Sequence, residues 1–124
     1  MPGLEINSYE TETGIPVVVL RGEIDLHTCP ELRTTLQNLM EGGKHEIVLN
    51  LGEVPYLDSA ALGVLVDAVR KARDNNGGLY LVHVTPFVLR AFEITRLIKI
   101  FQVHGTVEEA LEAIARGKGD PAGV

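Results

Sequence analysis

The sequence predicts an α/β domain: a mixed, mostly parallel β-sheet that opens with an antiparallel hairpin and packs against about four helices. Three observations carry this. After the opening pair of strands, short aliphatic runs alternate with stretches whose apolar residues recur every three or four positions, the order of a parallel sheet with crossover helices. The run from Ile15 to Arg21 is almost wholly apolar, as a strand covered on both faces is. The length, 124 residues, suits one domain with one core. With no Trp, three Tyr and three Phe, that core must be aliphatic.

Each element follows from its residues. Leu4 to Tyr9 alternates Leu4, Ile6 and Ser8 with polar residues and predicts an edge strand. The turn Glu12-Thr13-Gly14 leads into the Ile15–Arg21 strand, completing the hairpin. Thr28 precedes a helix carrying Leu32, Leu36, Leu39 and Met40, with Pro30 in its first turn and Gly42-Gly43 at its end. Glu46 to Leu51 predicts a strand, and Val54 to Leu57 links it to Asp58-Ser59. From Ser59, Leu62, Leu65, Val66 and Val69 recur at helical spacing and are assigned to the core. Asp67, Arg70, Lys71 and Arg73 fall on the other side, and Asn75-Asn76-Gly77-Gly78 stops the helix. Leu79 to Val84 predicts a strand. Thr85-Pro86 reads as an N-cap with proline at the first helical position, opening a helix through about Ile94. Ile98 to Val103 predicts a last strand. Thr106-Val107-Glu108-Glu109 is a capping box whose helix turns Ala110, Leu111 and Ile114 inward. Residues 1–116 are expected to form the domain and 117–124 a disordered tail.

Charge and composition narrow the function. Seventeen acidic against eleven basic residues give −6, which argues against a nucleic-acid backbone or an anionic membrane as the main partner. Cys29 is the only cysteine, so no intramolecular disulfide is expected, and it reads as a small residue of a first helical turn. No signal peptide is visible at Met1-Pro2-Gly3-Leu4-Glu5, and the apolar runs are far too short for a bilayer, so a cytoplasmic location is expected. His27, His45, His83 and His104 show no metal-ligand spacing, and no phosphate-loop or dinucleotide motif occurs. No metal or cofactor is expected.

The candidate site is Leu57-Asp58-Ser59-Ala60-Ala61-Leu62-Gly63, where a strand passes into a helix. A serine there lies at the positive end of the helix dipole, beside free backbone N–H groups, which suits a cap, a nucleophile or a phosphate. Either Asp58 or Ser59 can be the cap. The glycine-flanked serine elbow is missing, since Leu57 and Ala61 hold its glycine positions, so a hydrolase is disfavoured. Small neighbours at Ala60, Ala61 and Gly63 let another protein approach, and Ala60, Ala61 or Val64 would supply any apolar contact. Gly22-Glu23-Ile24-Asp25 leaves the neighbouring strand, and in a parallel sheet such turns gather at one edge.

Gly22-Glu23-Ile24-Asp25, Leu57 to Gly63 and Thr106-Val107-Glu108-Glu109-Ala110-Leu111 together resemble the STAS domain of bacterial anti-sigma factor antagonists, from about Leu4 to Ile114. The resemblance implies a non-enzymatic partner switch. The unphosphorylated antagonist binds an anti-sigma factor that is also a serine kinase and frees a sigma factor. Phosphorylation of Ser59 ends binding, and a serine phosphatase resets it. Asp25 matches the family's acidic loop residue, and the implied partner surface comprises Asp25, His27, Thr28, Asp58, Ser59, Ala60 and Gly63. Ala60 and Ala61 depart from the Ser/Thr and Gly often found there, so Ser59 is the only acceptor in the motif. STAS domains also serve as subunits of phospholipid-trafficking ABC transporters and of stress-signalling assemblies, which is the alternative.

Overall fold

The computed structural model describes residues 3–119. Five strands form one sheet in the order β1-β2-β3-β4-β5. They are β1 (Glu5–Glu10), β2 (Pro16–Arg21), β3 (Glu46–Glu53), β4 (Gly78–Val82) and β5 (Gln102–His104). The helices are α1 (Cys29–Glu41), α2 (Ser59–Asp74), α3 (Pro86–Ile94) and α4 (Val107–Gly119). β1 pairs antiparallel with β2 in the register Glu5 to Arg21, and every other pairing is parallel. The opening hairpin and the parallel remainder are as the sequence predicts.

Alternation along the strands gives the sheet two apolar faces. Val18, Leu20, Ile47, Leu49, Leu51, Leu79 and Leu81 point to the main core, where Leu32 and Leu36 of α1 and Ala61, Val64, Leu65 and Val69 of α2 cover them. Val88 and Phe92 of α3 close the same core, with Phe92 edge-on to Phe101 at 4.8 Å. Val17, Val48, Tyr80 and Val82 face the other way, under Ala110 and Ile114 of α4. Burial raises the Tyr80 hydroxyl above the usual phenol range, and the nearby Glu46 carboxylate adds to the rise.

Four details differ from the sequence reading. The Ile98–Val103 strand is instead a 3-10 turn over Leu97–Lys99 and a three-residue β5. Arg96, at φ 63°, ends α3 in the left-handed region, and Ile98 packs against the main core from the turn. β4 stops at Val82 because His83, at φ 55°, turns the chain out of the sheet. Thr85 is the N-cap of α3, but its hydroxyl donates to the Val54 carbonyl at 2.8 Å rather than capping the helix. α4 runs to Gly119, so residues 117–119 are helical backbone, while 120–124 lie outside the described residues. The capping box is as expected: Glu109 N–H donates to the Thr106 hydroxyl, and Thr106 N–H to the Glu109 carboxylate, both at 3.1 Å.

Because β2, β3 and β4 run parallel, their C-terminal ends share one edge of the sheet. The loops 22–28, 54–58 and 83–85 leave from that edge. Gly22 starts the first at φ 119°, with its N–H donating to the Glu53 carbonyl at 3.0 Å. A side chain there would be strained in that conformation and crowd the Gly3 carbonyl.

Candidate functional site

Asp58 organises the site. It is the N-cap of α2, in extended conformation at φ −109° and ψ −175°, and its Oδ1 accepts the Ala61 N–H at 3.0 Å. Its Oδ2 accepts the Leu26 N–H at 3.0 Å, from the other loop. The two loops are also joined through backbone: Ile24 N–H donates to the Tyr56 carbonyl and Asp58 N–H to the Ile24 carbonyl, each at 3.1 Å. Ile24 and Leu57, both buried beneath, form a parallel bridge. One carboxylate thus pins α2 to the β2–α1 loop.

Ser59 is the first residue of α2 and is exposed. With Asp58 as the cap, its hydroxyl is spare and hydrogen-bonds to no described residue. The N–H groups of Ser59 and Ala60 donate to no described backbone acceptor. They are first-turn donors that no helix can satisfy internally. The geometry therefore offers an accessible hydroxyl, two open donors and the positive end of a 16-residue helix.

Asp25 lies across the edge but turns its carboxylate inward. Its Oδ1 accepts the His27 N–H at 2.9 Å, the Thr28 N–H at 3.0 Å and the Thr28 hydroxyl at 3.2 Å. The Thr28 amide, most of all, holds this carboxyl below the usual carboxylate range. The His27 amide, the Thr28 hydroxyl and the His27 charge add to it, and partial desolvation opposes. Thr28 is the N-cap of α1 without capping it, because its hydroxyl is occupied by the loop, as acceptor from the Asp25 N–H and as donor towards the Glu23 carbonyl. His27 is exposed at the rim.

On α2, Ala60 is half-buried and Gly63 exposed, with open space where a Cβ would stand. Ala61 and Val64 are fully buried, which corrects the expectation that they could reach a partner. Leu62 and Val66, assigned to the core, are half-buried at its margin. The helix is rotated so that 61, 64, 65, 68 and 69 face the sheet. Cys29 is buried in the first turn of α1, its Sγ 3.9 Å from the Leu26 carbonyl. Sequence reasoning missed Leu26 and Tyr56, exposed apolar residues flanking Asp58. For Leu26 the signal was present as an apolar residue within an otherwise polar turn; Tyr56, between Val54-Pro55 and Leu57, gave no such signal. Among the described residues no three metal-ligating side chains gather, and no helix is long and apolar enough to cross a membrane.

The STAS domain family model matches residues 8–110. The chain belongs to the STAS domain family.

Within that family it is similar to an anti-sigma-B factor antagonist of Staphylococcus epidermidis, 33% identical over 100 residues, 81% of this chain and 86% of the relative. Its fold is that of an anti-sigma factor antagonist from Mycobacterium paratuberculosis. That structure has a TM-score of 0.82 and 26% identity, covering 91% of this chain and 95% of that one. The phosphorylated form of the Bacillus cell-fate determinant SpoIIAA shares the fold at 21% identity, with a TM-score of 0.69 over 89% of this STAS domain and 99% of that chain.

Proposed function

We propose that this STAS protein is an anti-sigma factor antagonist whose partner binding is switched at Ser59. The observation that carries the reading is the state of Ser59. It is an exposed hydroxyl left free by Asp58 at the mouth of α2, in a domain similar to named antagonists. In this reading the unmodified corner, with Asp25, His27, Thr28, Asp58, Ser59, Ala60 and Gly63, meets an anti-sigma factor that is also a serine kinase. A sigma factor is released. Transfer of phosphate to the Ser59 hydroxyl ends the contact and a serine phosphatase restores it. The chain acts as a binding module in the cytoplasm, where ATP is available to the kinase, and supplies no catalytic group.

The physics of the switch is local. A phosphate adds about 1.5 to 2 negative charges at pH 7. The open N–H groups of Ser59 and Ala60 and the helix dipole can hold it, so the fold is kept. Asp58 is next in the chain, and Asp25 is on the adjoining loop that Asp58 ties to α2; at physiological salt charges interact over roughly 8 Å. Neither carboxylate can turn away, because each is fixed by backbone N–H groups. A partner packed on the corner would then face a cluster of negative charge. A loss of about 3 to 4 kcal/mol weakens binding a hundredfold to a thousandfold.

The test is to incubate the protein with the source organism's anti-sigma factor kinase and ATP, then map the modification by mass spectrometry. Titration of that kinase with Ser59→Ala and Ser59→Asp follows. Phosphate on Ser59, with binding kept by the alanine form and lost by the aspartate form, is expected. An unmodified protein, or equal binding by both variants, sinks the proposal. Retention of an ABC transporter ATPase by both would favour the transporter reading instead.

A further inference from the structure

Three of the five exposed large apolar side chains among the described residues, Tyr56 at 39% exposure, Phe87 at 55% and Ile94 at 70%, follow one another from the Asp58 loop along α3, and a fourth, Leu26 at 66%, stands on the adjoining loop. Leu26 and Tyr56 flank Asp58 on the two loops of the switch corner. Tyr56 then meets Phe87, the second residue of α3, with ring centres 5.5 Å apart. Phe87, Ala91 and Ile94 are spaced four and three residues apart, so they share one face of α3. Val88 and Phe92 take the buried face. Phe87, Arg90, Ala91, Ile94 and Thr95 line an open groove of about 280 Å³. Scattered apolar residues on a surface need no explanation, but a contiguous run linked to a candidate site does.

Arg90 lines the groove through apolar atoms and sets a cation beside it. It is exposed and forms no ion pair with a described residue, on a chain whose net charge is −6. A cation free to pair beside an apolar slot selects a surface that offers an apolar side chain next to a carboxylate.

We propose that the groove along α3 is the second half of the docking surface, receiving an apolar side chain and an adjacent carboxylate of the same anti-sigma factor that reads Ser59. The inference rests on the function proposed above and adds a division of labour. The Ser59 corner carries the charge that phosphorylation changes. The α3 groove carries affinity and partner choice that phosphorylation does not touch.

The test measures the dissociation constant of the purified anti-sigma factor kinase, without ATP, for the wild type and for Ile94→Asp, Phe87→Ala, Arg90→Glu and Ser59→Asp. Ile94→Asp and Phe87→Ala should each weaken binding at least tenfold. Arg90→Glu should weaken it and flatten its dependence on salt. All three positions are exposed, so melting temperatures should stay near wild type. Wild-type affinity in the three α3 variants, with loss in Ser59→Asp, overturns the groove proposal and leaves the switch standing. No binding by the wild type overturns both. A wild-type dimer that Ile94→Asp splits while kinase affinity is kept assigns the groove to a second copy, and overturns the proposal. Should a variant melt early, amide exchange of the wild type decides: slowed exchange over residues 86–95 in the complex supports the proposal, and unchanged exchange defeats it.

Discussion

At the residue scale, one carboxylate does two jobs. Asp58 caps α2 with one oxygen and holds the Leu26 amide with the other. Both bonds involve a charged acceptor, the stronger class of hydrogen bond. Asp58→Ala should therefore lower stability by about 2 to 3 kcal/mol in a urea titration, more than the ~1 kcal/mol typical of a lost cap. Asp58→Asn, whose single amide oxygen can keep only one of the two bonds and whose NH2 then faces the other N–H, should recover only part of it. Asp25 gives a pH prediction. Its carboxyl is held below its ordinary value, so its stabilising effect is present above the unfolded-state pKa, near 3.8, and is lost as pH falls through the lower folded value. In Asp25→Asn the acid limb of stability below about pH 4 should be shallower than in wild type. Thermal melts from pH 2 to 7 check this.

At the element scale, hydroxyls at helix starts behave differently according to what lies above them. Thr106 caps α4 within a capping box because nothing else competes for it. Thr85 stands where α3 crosses the β3–α2 loop, and its hydroxyl reaches the Val54 carbonyl instead. Thr85→Val should cost about 1 to 2 kcal/mol through that carbonyl, with α3 still formed, as read by denaturation and far-UV circular dichroism. This difference marks what the sequence could express. Strands, helices and the capping box follow local periodicity and spacing, and were legible from Ile15–Arg21, Leu32/Leu36 and Thr106/Glu109. The rotation of α2 that buries Ala61 and Val64 was not, because Leu62 and Val66 satisfy the same helical spacing. The left-handed turns at His83 and Arg96 were hidden too, since neither residue is a glycine that announces one. The Asp58–Ser59 site was legible as a strand-to-helix junction. Which residue caps, and the tie from Asp58 to Leu26, arise from a contact across 32 positions.

At the scale of the whole molecule, the sheet gathers the proposed switch and its proposed partner surface at one edge and leaves the rest as scaffold. Ser59 phosphorylation should hence leave the melting temperature within about 2 °C of the unmodified value, since ~1 kcal/mol moves a domain of this size by roughly 4 °C. Amide chemical-shift changes should concentrate in residues 24–28 and 57–63. A wholesale shift across β3 and β4 would contradict this. The two faces of the sheet are also unequally covered. Three helices close the main core, while α4 alone, through Ala110 and Ile114, shields Val17, Val48, Tyr80 and Val82. A lone helix over a small cluster is the part that opens at least cost. In hydrogen exchange at equilibrium, α4 should lose protection through a partial opening well below the energy needed to expose β3, β4 and α2. The molecule would then yield in two steps, shedding its C-terminal helix first, and the edge that bears Ser59 would keep its shape in a partly opened state.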